Sequence, residues 1–391
     1  MHANTSDLNP SSILAEASAR AGGLTDLGDL PFTDGLERVI DSLTTEARLN
    51  EMGVIIARER LLGHAVNRFQ YVHDRKQFPS IEHEEIKSPV FIVGNPRTGT
   101  TILHDILAQD PDSRVPNTWE CMYPSPPPEE ETFYTDPRIA QCQSIYDAIG
   151  NQPDGFKAIH PMGAQLGQEC ILLFADSMVS PLFHNQFRVP GYEDWVDNGA
   201  DYAGVYEFHY RQLQHLQSRC ARDRWVLKTG GHNWALQNLL AQYPDARIVF
   251  THRDPVKSMT SYASLTDQVR RISSDEVDPI EIAADWIPRL AQIANRSVGV
   301  RDAKMSPDAK IYDMFFPHFV EDQFKEIERI YEALGLEMTG AGADGMRRYI
   351  KNNPKGVHGV HTYTAEDYGI DPDKVREQFA QYIEYFDLKP E

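Results

Sequence analysis

The chain has 391 residues, of which 41% are hydrophobic, enough for one large α/β domain or two modest ones. With 38 Lys and Arg against 58 Asp and Glu, its formal net charge of −20 repels nucleic-acid phosphates and anionic lipid, which argues against a nucleic-acid partner. It shows no apolar stretch of membrane-helix length, no secretory signal and no CxxC pair among its four cysteines, so we expect a cytoplasmic protein with reduced thiols.

The N-terminal part of the chain is expected to be helical. Residues 1–30 are rich in Ser, Ala and Gly with weak periodicity, which predicts a loose arm. A helical extension follows over residues 31–80, where Asp34 and Glu37 have the spacing of a capping box ahead of apolar positions with a helical period. A second helix is predicted over about residues 45–72.

Residues 81–391 alternate between short apolar runs and helical segments. The predicted strands are residues 89–93, 225–228, 247–251 and 310–312. Strands that alternate with helices predict a parallel sheet with helices on both faces. Between the first two strands, residues of about 120–220 are predicted to form a mainly helical, aromatic-rich insertion.

A phosphate-binding loop follows the first predicted strand. Residues 94–101 read Gly-Asn-Pro-Arg-Thr-Gly-Thr-Thr and lead into a helix, so that backbone N–H groups at the helix start can receive an anion. The spacing is Gly-x4-Gly, but Thr100 stands where an ATP-binding loop has Lys, and the cation lies three residues earlier, at Arg97. The loop therefore predicts a phosphate site that is not built for the β- and γ-phosphates of ATP.

Basic residues stand at the ends of three predicted strands. Arg97 follows the first, Lys228 ends the second and Arg253 follows the third. Ligands of parallel sheets bind at the carboxyl ends of the strands. Three cations at equivalent positions in an acidic chain predict one polyanionic ligand.

These motifs together resemble a known family. The loop at residues 94–101, the Trp-Val-Leu-Lys strand at 225–228, the run at 243–255, and Arg253 with Ser261 eight residues later are similar to those of the PAPS-dependent sulfotransferases, in a bacterial branch of the P-loop sulfotransferase superfamily. PAPS is 3′-phosphoadenosine 5′-phosphosulfate. The resemblance covers roughly residues 30–391. It implies a three-layer P-loop-type α/β fold with a central parallel sheet, and transfer of a sulfuryl group to a hydroxyl or amine of a small molecule.

The resemblance also implies two groups of donor-binding residues. Those that receive the 5′-phosphosulfate are Arg97, Thr98, Gly99, Thr100 and Thr101. Those that receive the 3′-phosphate are Arg253, Ser261, Lys355 and Gly356. Lys228 would assist the leaving oxygen or the sulfuryl group. No metal is expected, because sulfate carries less charge than a γ-phosphate and the reaction depends on positioning and fixed charge.

The general base has three candidates. Animal relatives place a His directly after Lys-Thr, whereas Lys228-Thr229 is followed here by two glycines and then His232. Tyrosine-protein sulfotransferases carry a catalytic Glu about as far past the loop as Glu120. These two rank equally, and Glu169, within an apolar helical stretch, ranks third because a structurally paired carboxylate explains it as well.

Two other functions stay open at this point. One is a P-loop kinase or nucleotidase that uses ATP and Mg²⁺, and the other is a catalytically inactive relative that keeps the nucleotide pocket. The expected acceptor is a small alcohol or phenol of unspecified identity. The sequence leaves a homo-oligomer open.

Overall fold

The computed structural model describes residues 3–150, 163–302, 310–354 and 363–391. Its strands are β1 (Val90–Gly94), β2 (Ser113–Arg114), β3 (Arg224–Lys228), β4 (Arg247–His252) and β5 (Lys310–Phe315). They pair in parallel in the order β2-β3-β1-β4-β5, which confirms the predicted α/β class with a central parallel sheet. The sequence pattern predicts all of them except β2, because a strand of two residues leaves no periodic signal.

Both faces of the inner strands are buried, which explains why β1 is apolar throughout and why β3 and β4 are apolar in their middle residues. In β1, Phe91 and Val93 point into the larger hydrophobic core, whereas Val90 and Ile92 point into a second core on the opposite face. The larger core also receives the N-terminal helices and the long insertion between β2 and β3.

The pairing register brings the ends of four strands to one edge of the sheet. Ile92 of β1 lies beside Lys228 of β3, and Gly94 lies beside Thr251 of β4. On the other side, β4 pairs with β5 up to their last residues, His252 and Phe315. The loops that follow β1, β3, β4 and β5 therefore meet at this edge, where parallel sheets bind their ligands.

Helices surround the sheet in groups set by chain order. The N-terminal group is α1 (Pro10–Arg20), α2 (Thr33–Thr45) and α3 (Glu51–Gln77). Helix α4 (Thr100–Leu107) follows β1. The insertion between β2 and β3 contains α5 (Thr118–Met122), α6 (Pro137–Gly150), α7 (Cys170–Ala175), α8 (Leu182–Gln186), α9 (Pro190–Asn198) and α10 (Tyr202–Gln217).

The remaining helices cover the second half of the chain. They are α11 (Leu236–Gln242), α12 (Pro255–Arg270), α13 (Pro279–Asp302), α14 (Phe316–Glu321), α15 (Gln323–Leu334), α16 (Gly340–Asn352), α17 (Pro372–Gln378) and α18 (Ala380–Tyr385). In the parts of the chain that the structure describes, none of the helices has the length and apolar content that crossing a bilayer requires.

The structure departs from the expected loose arm, because residues 10–20 form α1. Its first turn is capped by Asn9, whose side chain accepts a hydrogen bond from a backbone N–H at 2.9 Å. Ile13 and Ala17, one helical turn apart, are fully buried, and Glu16 is paired with Arg58 of α3. A short apolar stripe thus suffices to dock this segment, although its composition gives little periodic signal.

The predicted capping box of the next helix is wrong. Helix α2 starts at Thr33, before Asp34, and Asp34 Oδ1 accepts a hydrogen bond from Arg38 Nε at 2.9 Å instead of capping the helix. Helix α3 begins later than expected, where Asn50 Oδ1 accepts a hydrogen bond from Gly53 N at 2.7 Å. The domain boundaries at residues 30 and 80 stay a prediction.

Candidate active site

The loop after β1 forms a tight turn at the start of α4. At Gly94 (φ +154°) a Cβ would lie 2.3 Å from Thr251 Oγ1, so β4 approaches too closely for a side chain. Gly99 (φ +93°) caps α4 in the left-handed conformation that glycine tolerates. Thr98 is buried, and its hydroxyl donates to Asn95 O at 2.8 Å. The Thr98 side chain thus closes the loop by bonding back to the loop's own backbone.

Two arginines from different strand ends meet beside this loop. Arg97 Nε donates a hydrogen bond to Ser261 Oγ of α12 at 3.0 Å, and Arg253 Nη1 donates to the Arg97 carbonyl at 3.2 Å. Burial is the main cause that lowers the pKa of the Arg97 guanidinium, and the neighbouring charge of Arg253 adds to it. Arg97, Arg253 and Ser261 are therefore brought together in a region of partly desolvated positive charge.

The Arg253 guanidinium is paired with the carboxylate of Glu391. Arg253 Nε donates to Glu391 Oε2 at 3.0 Å, and the Glu391 backbone N–H donates to Asp254 Oδ2 at 3.0 Å. The Arg253 and Glu391 side chains are 22% and 21% exposed. No sequence motif indicates this contact, because it joins residues that are 138 positions apart. An oxyanion thus lies on the guanidinium to which the resemblance assigns the 3′-phosphate.

Lys228 lies at the end of β3 and is held by two side chains. Lys228 Nζ donates to Glu169 Oε1 at 2.6 Å and to Thr101 Oγ1 at 3.1 Å. Thr229 Oγ1 donates to Glu169 Oε2 at 3.0 Å. The Lys228 side chain is only 2% exposed, whereas that of Glu169 is 29% exposed. Of the three base candidates, Glu169 is thus the one that contacts Lys228 and Thr229 and is partly exposed to solvent.

His232 lies in the core and does not turn back toward the strand ends. After Lys228 the chain enters a 3₁₀ turn, Gly230–Asn233, and the His232 ring is fully buried with its edge against Phe91 and Phe174. Its Nδ1 contacts the Tyr206 hydroxyl at 2.9 Å. Burial lowers the pKa of His232 well below its ordinary value. The imidazole is thus enclosed by aromatic side chains of the core, and its role as the general base stays a prediction.

Glu120 is occupied by structural contacts. It is fully buried in the first turn of α5, where Oε2 accepts the Asn117 N–H at 3.0 Å and completes a capping box. Its Oε1 accepts from Arg114 Nη2 at 2.7 Å, and the Arg114 guanidinium lies 4.4 Å from the centre of the Trp225 ring. These contacts give Glu120 a structural role in the fold, and its catalytic role stays a prediction.

The expected glycine loop near the C-terminus, with Lys355 and Gly356, lies outside the described residues. Within the described residues, His, Cys, Asp and Glu side chains form no group of three or more that could hold a metal ion. The four cysteines are buried and unpaired. Much of the aromatic stretch of the insertion forms core, whereas Trp195 is half-buried. The buried rings of this stretch are Phe183, Phe187, Tyr192, Tyr206 and Phe208.

Comparison with known proteins places these features in a wider group. The chain matches the sulfotransferase family over residues 89–340. It is 24% identical over 302 residues to the omega-hydroxy-beta-dihydromenaquinone-9 sulfotransferase Stf3 of Mycobacterium tuberculosis (strain CDC 1551 / Oshkosh), an alignment that covers 76% of this chain and 74% of Stf3.

Two solved structures share the fold along nearly the whole chain. The crystal structure of sulfotransferase STF1 from Mycobacterium tuberculosis H37Rv superimposes with a TM-score of 0.83 and 30% identity, covering 95% of this chain and 98% of STF1. The structure of sulfotransferase STF9 from Mycobacterium avium superimposes with a TM-score of 0.89 and 24% identity, covering 98% of this chain and 97% of STF9.

Proposed function

We propose that this chain, which belongs to the sulfotransferase family, takes its sulfuryl group from PAPS and transfers it to a hydroxyl of a small-molecule acceptor, releasing adenosine 3′,5′-bisphosphate. One observation carries the proposal. Two guanidiniums and a hydroxyl lie together near the ends of β1 and β4, those of Arg97, Arg253 and Ser261. They lie at the loop that leads into α4, whose first backbone N–H groups lie at the start of a helix. A ligand with two phosphorylated ends fits this arrangement better than a single phosphate does.

The 5′-phosphosulfate is proposed to lie on the loop. There, Arg97 and the backbone N–H groups of Gly99 to Thr101 would receive its oxygens, as the start of a helix commonly does for an anion. Lys228 would reach the oxygen between phosphorus and sulfur from the neighbouring strand end. The 3′-phosphate would bind Arg253 and Ser261, and the Glu391 carboxylate on Arg253 supports this assignment because it shows that the guanidinium edge accepts an oxyanion. Lys355 and Gly356 stay proposed contacts of the same phosphate.

The chemistry follows from charge. As the bond between sulfur and the bridging oxygen breaks, negative charge grows on the leaving phosphate of the nucleotide. Fixed cations stabilise that charge most where water is excluded, and the Lys228 side chain is almost fully buried. The proposed roles of Arg97 and Lys228 therefore need no metal ion, since the residues themselves supply the positive charge.

We propose Glu169 as the general base. The acceptor hydroxyl must lose a proton as it attacks sulfur, and a base must reach that hydroxyl. Glu169 contacts Lys228 and is partly exposed, whereas His232 and Glu120 are enclosed. The Lys228 and Thr229 contacts would orient the carboxylate, and its partial exposure would let the acceptor hydroxyl approach it.

The proposed acceptor is a hydroxylated small molecule. The name of Stf3 specifies an omega-hydroxy menaquinone derivative as its acceptor, which makes hydroxylated lipoquinones and other long-chain alcohols the first compounds to test, with phenols as the alternative. A cytoplasmic location is proposed on the ground that all four cysteines are unpaired.

The proposal is tested by incubating the purified chain with PAPS and an acceptor panel of alkyl alcohols, hydroxylated quinones and phenols. We expect release of adenosine 3′,5′-bisphosphate that depends on an acceptor, with a sulfated product seen by mass spectrometry. Parallel reactions contain ATP and Mg²⁺ in place of PAPS. Phosphorylation with ATP alone would favour a kinase, and tight bisphosphate binding without product from any acceptor would favour an inactive relative.

A further inference from the structure

We propose that Phe316 is a positioning residue that holds the Arg253 guanidinium at the 3′-phosphate end of the donor site. The inference rests on the proposed function, because it concerns the same nucleotide. Phe316 is the first residue of α14, and no motif in the sequence singles it out.

The sheet itself places Phe316 beside Arg253. Strands β4 and β5 are paired up to His252 and Phe315, so the residues that follow, Arg253 and Phe316, leave the sheet side by side. The Arg253 guanidinium carbon lies 4.2 Å from the centre of the Phe316 ring, well inside the range of a cation–π contact.

The same ring contacts the phosphate loop. A Cβ at Gly99 would lie 2.8 Å from Phe316 Cδ2, so the loop passes directly against the ring. The Arg253 guanidinium also contacts the loop, because its Nη1 donates to the Arg97 carbonyl. The ring therefore fixes the spacing between the loop and Arg253, the two places where the ends of the nucleotide are proposed to bind.

These contacts determine which edge of the Arg253 guanidinium faces the proposed 3′-phosphate. The ring covers one face of the guanidinium and Nη1 donates to the Arg97 carbonyl, so the donors on the remaining edge are Nη2 and Nε, of which Nε meets the Glu391 carboxylate. An arginine held in one orientation loses less conformational freedom when it binds an anion than a mobile one does. Phe316 thus acts through Arg253 on the phosphate and has no need to touch the nucleotide.

The test compares two nucleotides that differ in one group. Binding of adenosine 3′,5′-bisphosphate and of adenosine 5′-phosphate is measured by calorimetry for the wild-type chain and for Phe316→Leu and Phe316→Met. We expect both variants to bind the bisphosphate about three- to tenfold more weakly, the size of a cation–π contact at a partly exposed site, and the monophosphate as tightly as wild type. Phe316→Tyr, which keeps the ring face, should restore the affinity.

Phe324→Leu is the matched control. Phe324 is also half-buried and has an arginine over its ring, Arg347 at 4.0 Å, but this contact lies on α15 and α16. It should leave both affinities unchanged. If Phe316→Leu does not fold, Phe316→Met, whose unbranched side chain adapts more easily to the space against the loop, decides the matter.

Three outcomes overturn the inference. Unchanged bisphosphate affinity in the folded Phe316 variants shows that the ring does not position Arg253. An equal loss for both nucleotides shows that the ring supports the loop in general. A wild-type chain that binds neither nucleotide refutes the proposed function and this inference with it, so the two failures are distinguishable.

Discussion

Replacing Glu169 by glutamine tests the proposed base while keeping the shape of the side chain. The structure predicts two separate effects. The glutamine amide oxygen can still accept from Lys228 or Thr229, but it cannot take a proton from the acceptor and carries no charge to balance the nearly buried ammonium. Catalysis and stability should therefore change by different amounts.

The stability effect is the smaller one. A hydrogen bond to a charged group contributes about 1.5–3 kcal/mol when buried. Glu169 is 29% exposed, so solvent screens part of its interaction with Lys228. Since glutamine keeps one acceptor, we expect the free energy of unfolding to fall by about 1 kcal/mol, measured by urea denaturation.

The catalytic effect is the larger one. Loss of a general base lowers the rate about 10²- to 10⁴-fold, which corresponds to about 2.7–5.4 kcal/mol at 1.36 kcal/mol per decade. The turnover number with an alkyl alcohol should fall by this factor, while the dissociation constant for adenosine 3′,5′-bisphosphate stays within threefold of wild type. An acidic phenol that is already ionised needs no base and should lose far less activity in the same variant.

Two variants serve as controls for the other base candidates. Glu120→Gln breaks a fully buried pair with Arg114 and should destabilise the fold by about 3–5 kcal/mol, while the protein that remains folded keeps its turnover. His232→Phe should behave in the same way with a smaller loss of stability. Wild-type turnover in Glu169→Gln, or an equal loss with the alcohol and the ionised phenol, would refute the assignment of Glu169 as the base.

Three further predictions follow from the same contacts. Arg253→Ala should weaken binding of adenosine 3′,5′-bisphosphate, measured by calorimetry, about tenfold. This is near the low end for a charge-assisted hydrogen bond, because the wild-type guanidinium must release Glu391 before it binds the phosphate. An unchanged dissociation constant would contradict the 3′-phosphate role. Glu391→Gln should tighten that binding about two- to fivefold, the size of a partly exposed ion pair, whereas the exposed Glu384→Gln should not. Burial lowers the pKa of His209 to about 3, so below about pH 6.5 the unfolded chain binds a proton that the folded chain does not, and the free energy of unfolding falls as the pH drops. Measured by urea denaturation between pH 6.5 and 4.5, the free energy of unfolding should change less steeply with pH in His209→Gln, by up to about 1.4 kcal/mol per pH unit. Identical slopes in the two proteins would refute this.

The sheet could be predicted because its strands carry strong local signals. The inner strands β1, β3 and β4 contain apolar runs with an adjacent loop or helix start, and these strands and β5 are found within three residues of their predicted bounds. The two-residue β2 and the docked helix α1 give almost no such signal. What holds α1 is the burial of Ile13 and Ala17 and the pairing of Glu16, and these depend on α3, which lies far along the chain.

The placement of three cations at one edge of the sheet could be predicted for a similar reason. Arg97, Lys228 and Arg253 each follow or end a strand, and parallel pairing necessarily brings such residues to one edge. The three candidates for the general base could not be ranked in this way, because the solvent exposure of each side chain depends on how the chain packs around it. Glu120 and His232 are close in sequence to functional motifs, yet the fold turns both into buried surroundings.

The contacts of the cations bear on how a protein with a net charge of −20 binds a polyanion. Arg253 is paired with Glu391, so binding of the proposed 3′-phosphate there would exchange one oxyanion for another. We expect such an exchange to give less affinity than binding to an unpaired cation, since the carboxylate must first be displaced. Arg97 differs because its Nε donates to the neutral Ser261 hydroxyl. The proposed 5′-phosphosulfate would neutralise the charge of Arg97 without releasing a carboxylate from that nitrogen, so we expect the loop to be the main source of attraction for the donor.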